Sequence, residues 1–225
     1  MRRPPGFTLT LSKSQKLGDY FARLAELEHA STEAFRIVAA DLEAQAAPAA
    51  LVRAVKRAAR DEERHAQIAL QIAQRHGVAV KNPVVERVAP RALLDVAIEN
   101  AVEGCVRETY FALVAARQAE TAQDPIVRAA MKAVARDESD HAALAWTIAG
   151  WLEPRVASEA RDRYAKAAKA AVQELRTEAY APFPETLRRV AGLPAVRDAL
   201  ALIDSLDRSM WQKLAAGGAV GTAPR

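Results

Sequence analysis

The string Ala59-Arg60-Asp61-Glu62-Glu63-Arg64-His65-Ala66 returns as Ala135-Arg136-Asp137-Glu138-Ser139-Asp140-His141-Ala142, 76 residues later. Upstream, Glu28 and Glu33 return as Glu103 and Glu108 at an offset of 75, the one-residue difference falling in the intervening loops. One Glu-x-x-His occurs readily by chance in a helical protein. Two in register, each with matching acids upstream, mark a duplicated helical hairpin.

The apolar pattern around these strings has a helical period. Leu17, Phe21, Leu24, Glu28, Ser31, Phe35, Val38 and Leu42 alternate spacings of four and three, so a carboxylate interrupts the seam of the first helix. A second seam reads Leu51, Val55, Ala58, Glu62, His65, Ala69 and Ile72. Pro48 suits its first helical position and His76-Gly77 its end. A third helix is expected from about Arg91 to Ala119. Asp124-Pro125 then supplies an N-cap and a first-position proline for a fourth, whose seam is Val127, Met131, Val134, Glu138, His141, Ala145, Ile148 and Leu152. Residues 78–90 carry Pro83 and Pro90 and no helical period. Extended at roughly 3.3 Å per residue, they reach about 40 Å, enough to cross the length of a helix of roughly 25 residues.

With 9 Gly and 5% aromatic residues in 225, the composition favours long helices, and the class is all-α. Residues 1–13 read as a disordered leader, 14–152 as a four-helix bundle of two hairpins joined by a long crossover, 153–215 as a C-terminal helical extension and 216–225 as a flexible tail. Helical stretches at about 155–178 and 185–214, punctuated by Pro182, Pro184 and Gly192-Leu193-Pro194, carry no visible chemistry. They read as cover for the bundle or as an oligomer interface. The single cysteine, Cys105, excludes an internal disulfide or a paired-thiolate metal site. The net charge of +4 comes from 32 basic and 28 acidic residues interspersed along the chain, so no nucleic-acid partner is expected. No apolar run is long enough for a signal peptide or a membrane span, and the expected location is the cytoplasm.

Residues at i and i+3 share a helix face, so Glu62 with His65 and Glu138 with His141 each present a carboxylate and an imidazole inward. Uncompensated buried charges are too costly for a bundle, and a pair of metal ions is the direct remedy. Mixed imidazole and carboxylate ligands suit iron or manganese. These strings resemble the ferritin-like di-iron carboxylate superfamily, over roughly residues 15–152. The resemblance implies a ferritin-like bundle holding two iron ions, with manganese possible in one or both sites, and the ligands Glu28, Glu62, His65, Glu103, Glu138 and His141.

Two alternatives stay open. Glu33 competes with Glu28, which lies on the seam. In the third helix Glu103 aligns with Val96, Val106 and Tyr110, whereas Glu108 aligns with Leu94, Ala101, Cys105 and Ala112. The repeat and the 35-residue separation from Glu138 favour Glu103; Glu108 stands as an alternative or extra ligand. Asp61 and Asp137 are candidates to orient the histidines from behind. Tyr20 and Tyr110 lie about two turns from Glu28 and Glu103, in packing or redox positions. His29 points away from Glu28, and Cys105 reads as a small buried residue.

The function expected is an oxidoreductase acting with dioxygen or peroxide on an unidentified substrate, as a possible homo-oligomer. A ferroxidase for iron storage or detoxification and a non-catalytic helical interaction protein are the alternatives.

Overall fold

Helix α1 (Leu17–Ala44) lies along helix α2 (Ala49–Arg75) in a computed structural model of the chain, described over residues 1–7, 16–86, 88–181 and 183–215. The described residues are helical or irregular, with no strand among them, so the class is all-α. The interrupted seams are the buried stripes: Phe21, Leu24, Glu28, Ser31, Phe35, Val38 and Leu42 in α1, and Leu51, Val55, Ala58, Glu62, His65, Ala69 and Ile72 in α2. Pro48 stands one position earlier than expected, at the cap of α2, and Gly77 closes that helix with a φ of 73°.

The third helix is not one regular element. It runs as α3 (Leu93–Glu99), then nine residues of π-helix at Asn100–Glu108, then α4 (Thr109–Thr121). Helix α5 (Pro125–Leu152) packs along α4 and against the π-helical stretch, and also meets α2. Asp124 caps α5 as the sequence implies, accepting from Ile126 N at 2.8 Å and Val127 N at 3.1 Å. Every residue of its expected seam is buried.

The connection after α2 runs the length of α1. It starts beside Gly18, whose added Cβ would lie 2.6 Å from the Cβ of His76. It ends at Arg91, which donates from its backbone and side chain to buried Asp41 near the far end of α1.

The C-terminal third forms α6 (Arg161–Ala179), α7 (Glu185–Ala191), α8 (Val196–Leu206), a second π-helical turn (Asp207–Trp211) and α9 (Gln212–Ala215). Gly192 breaks α7 from α8 with a φ of 71°, and a Cβ there would meet Ala122 N at 2.7 Å. Helix α6 packs on the π-helical part of the third helix and on α8, so these helices cover the bundle.

Residues 1–7 depart from the disordered leader expected of them. Met1 and Arg2 are buried, Arg2 to 1% exposure, because this strap finds carboxylates inside the fold for its cations. Residues 8–13 of that expected leader, and the expected tail at 216–225, lie outside the described residues. No helix among the described residues is long and apolar enough to cross a membrane.

Candidate metal centre

Both Glu-x-x-His pairs rise from the buried stripes of α2 and α5, and packing these helices together brings them face to face. Each histidine meets a glutamate of the other hairpin: His65 Nδ1 lies 3.3 Å from Glu138 Oε1, and His141 Nδ1 lies 3.2 Å from Glu62 Oε1. His65 Nδ1 also lies 3.7 Å from Glu62 Oε2 of its own pair. Helix α1 adds Glu28 and the end of the π-helical stretch adds Glu108. Two groups result, Glu28, Glu62, His65 and Glu138, and Glu62, Glu108 and His141, the ligand atoms in each within 4.8 Å of one another. Glu62 belongs to both, and all six residues are at most 2% exposed.

Eight donor atoms in this cluster have no hydrogen-bond partner: Glu28 Oε2, both oxygens of Glu62 and of Glu108, Glu138 Oε1, and Nδ1 of His65 and of His141. A buried polar atom left so costs about 1–3 kcal/mol. Two pairs among the eight, His65 Nδ1 with Glu138 Oε1 and His141 Nδ1 with Glu62 Oε1, face each other, and the remaining atoms would consume on the order of 5 kcal/mol. The donor set therefore fits metal ions, which satisfy such atoms at once.

Behind the histidines the pairing also crosses between hairpins. His65 Nε2 lies 3.2 Å from Asp137 Oδ2, and His141 Nε2 lies 3.4 Å from Asp61 Oδ2. Arg64 bridges the two aspartates at 2.7 and 3.2 Å. A proton held on Nε2 by these carboxylates leaves the Nδ1 lone pair facing the centre.

Electrostatics without metal divides the acids. Burial, then the Glu62 charge, pushes Glu28 well above the ordinary carboxylate value. Burial would raise Glu62 too, but the imidazoles of His141 and His65 hold it well below. Burial pushes Glu108 up to about 7, with Arg2 opposing. Burial opposes the charging of both histidines, yet the facing glutamates raise His65 to about 11 and His141 to about 9.

The N-terminal strap supplies further cations. The Met1 ammonium donates to Glu138 Oε2 at 3.2 Å, and the buried Arg2 guanidinium donates to Asn100 Oδ1 at 2.8 Å and lies 3.9 Å from Glu108 Oε2. Arg2 also sits over the Phe35 ring, 5.2 Å from its centroid, and its backbone N–H donates to Ser31 Oγ. The space it fills is provided by Gly104, where a Cβ would stand 2.2 Å from Arg2 Nη2.

Glu103 stands apart from both ligand groups. Arg3 grips it through Nε, Nη2 at 2.7 Å and its backbone N–H, and Arg107 Nε lies 3.7 Å away. The π-helical backbone is the reason: its wider turns displace the α-helical register, so alignment by regular spacing selects the wrong acid. Glu33 is a partly exposed partner of Arg36. Tyr110 belongs to neither ligand group; its ring packs 5.5 Å from that of Phe111, and burial raises its hydroxyl to about 12. Cys105 is buried with Sγ 3.6 Å from Ala145 O, and His29 is half-buried outside both groups. Sequence reasoning missed Arg2, Arg3, Asn100 and Gly104. Ser31 showed itself as a small polar residue on the apolar seam. Comparison with protein-family models, curated proteins and solved structures found no match to this chain.

Proposed function

We propose that the chain is a ferritin-like dinuclear carboxylate protein, an oxidoreductase acting with dioxygen or peroxide through two iron ions, with manganese able to take either position. The observation that carries this reading is the pair of overlapping ligand groups sharing Glu62, lined by buried donor atoms without hydrogen-bond partners. Glu28, Glu62, Glu138 and His65 Nδ1 would hold one ion. Glu62, Glu108 and His141 Nδ1 would hold the other. Four carboxylates and two neutral imidazoles would balance two divalent cations, with the Met1 ammonium and the Arg2 guanidinium as further positive charges beside Glu138 and Glu108. The set lacks a thiolate, which suits iron or manganese. When bound, such ions supply the one-electron chemistry that dioxygen or peroxide reduction requires.

The chain's own residues prepare this site. Asp61 and Asp137 fix the tautomer of the histidine opposite each, and Arg64 ties the two aspartates together. Phe35, its ring 5.1 Å from that of His141, closes the site on one side and excludes water. Arg2 orients Glu108 by its charge. Two hairpins joined by a connection along the length of α1 are the arrangement a ferritin-like bundle requires.

Anaerobic loading with ferrous ion followed by oxygen or peroxide tests the reading. It predicts two irons per chain and a near-ultraviolet band of oxo-bridged ferric iron appearing on exposure. A protein holding two irons that shows no spectral change with either oxidant contradicts the redox assignment.

A further inference from the structure

A cavity of about 370 Å³ adjoins the centre and reaches it through Glu28 and Glu138. That volume lies within the range of small-molecule sites, and at about 30 Å³ per water-sized atom it holds roughly a dozen non-hydrogen atoms. The inner wall comes from α1, α4 and α5, with Leu24, Leu27, Val114 and Met131 among its residues. The outer wall comes from the C-terminal third, through residues such as Leu175 and Phe183. The helices with no chemistry of their own thus enclose a space beside the reactive cluster.

The charges around the cavity are matched. Arg3 is held by Glu103, and Arg107 by Glu174, Glu178 and Glu103, so neither guanidinium is free to hold an anionic group. Glu28 and Glu138 belong to the ligand cluster and are not available to a ligand cation. A charged guest would therefore be desolvated without compensation, whereas a neutral one loses nothing. Among the polar groups of the lining, the Tyr20 hydroxyl is hydrogen-bonded to Gln118, whose Nε2 donates to Ala191 O, which leaves the Tyr110 hydroxyl for a neutral guest.

We infer that this cavity is a binding site for an uncharged, mainly apolar organic molecule of roughly a dozen non-hydrogen atoms, placed against the Glu28 and Glu138 side of the centre. As the site of the enzyme's substrate it rests on the dinuclear reading above, and so does its rejection of cations, since only metal occupies Glu28 and Glu138; as a site for an apolar molecule it stands on the cavity.

The test is titration of the full chain with butan-1-ol, octan-1-ol, octanoate and octylammonium, followed by ligand-observed NMR, on metal-free and manganous-loaded protein whose metal content is measured in the same samples. Octan-1-ol is expected to bind one per chain, at least about tenfold tighter than butan-1-ol from its extra buried methylenes. Octanoate and octylammonium should bind at least about tenfold more weakly than octan-1-ol. Manganese in the centre should broaden the resonances of the bound alcohol. Ala115→Phe, which fills the cavity, should abolish binding with metal content unchanged, and Phe111→Ala, which enlarges it, should shift the preference to decan-1-ol. Octan-1-ol binding that is no tighter than butan-1-ol, or that neither variant alters, overturns the inference, as does equal binding of the charged probes. If metal binds and the alcohol does not, the cavity inference fails and the dinuclear reading stands. If the alcohol binds as predicted to a protein that takes up no metal, the reverse holds.

Discussion

His65 and His141 each use both ring nitrogens, one toward the glutamates and one toward an aspartate carried by the opposite hairpin. Asp137→Asn should therefore loosen the grip of His65, and Asp61→Asn that of His141. Each is expected to lower metal affinity by about tenfold or more in a chelator competition, with the helical circular dichroism unchanged. Unaltered affinity in both would remove the aspartates from the account. The same imidazoles set a pH dependence. In the metal-free fold their pKa values stand at about 11 and about 9, above the ordinary 6.5, so the folded state binds more protons than the unfolded one. Their stabilisation is full below pH 6.5 and is lost as the pH rises through 9 toward 11. Glu62 and Glu138 are lowered, so their stabilisation is full above the ordinary carboxylate value of 4.5 and is lost as the pH falls below it toward their folded-state values. Metal-free protein should thus melt at a lower temperature at pH 9 than at pH 6.5, whereas metal-loaded protein should not, because the ions replace those protons. Equal melting of the metal-free protein at both pH values would show that the histidines are uncharged in it.

At the scale of the element, the π-helical stretch decides which acid of the third helix faces the centre. Glu108→Ala should reduce metal content by about one ion per chain, whereas Glu103→Ala should leave it unchanged and release Arg3, measured by elemental analysis; the opposite pattern would return Glu103 to the ligand set. Gly104 gives Arg2 its place on the same stretch. Gly104→Ala should cost about 2 kcal/mol in denaturant unfolding and less in an Arg2→Ala background, where the contacts with Ala145 Cβ at 2.8 Å and Asn100 Oδ1 at 2.9 Å remain. What could be read in the sequence follows the same division. The cluster residues of α1, α2 and α5 were legible because regular 3.6-residue turns put Glu28, Glu62, His65, Glu138 and His141 on seams that spacing reveals. The choice between Glu103 and Glu108 was not, because the change of turn at Asn100 leaves no mark in the period of the flanking residues. Arg2 and Arg3, next to two prolines and a glycine, carry the composition of a loose leader. The burial of Arg2 and the anchoring of half-buried Arg3 depend on acids about a hundred residues away, which no local pattern displays.

On the scale of the whole molecule, the two apolar clusters flank the polar band. One gathers around Tyr20, Leu24 and Leu27, the other around Phe35, Val38 and Leu42, with Glu28 and Ser31 between them on α1. Such a core holds its acids folded only when they are neutralised, so under the proposed function metal binding would add to stability. At a free metal concentration a thousandfold above the dissociation constant, one site alone adds about 4 kcal/mol. The most direct measurement of the central claim is the metal content of full-length protein from iron- and manganese-supplemented cells, compared with that of a Glu62→Ala, His141→Ala double variant. The account predicts two ions per wild-type chain, with a melting temperature that falls when they are chelated, and a double variant that folds but retains neither ion in full occupancy. Wild-type protein that binds no stoichiometric metal and melts at the same temperature as the variant would contradict it.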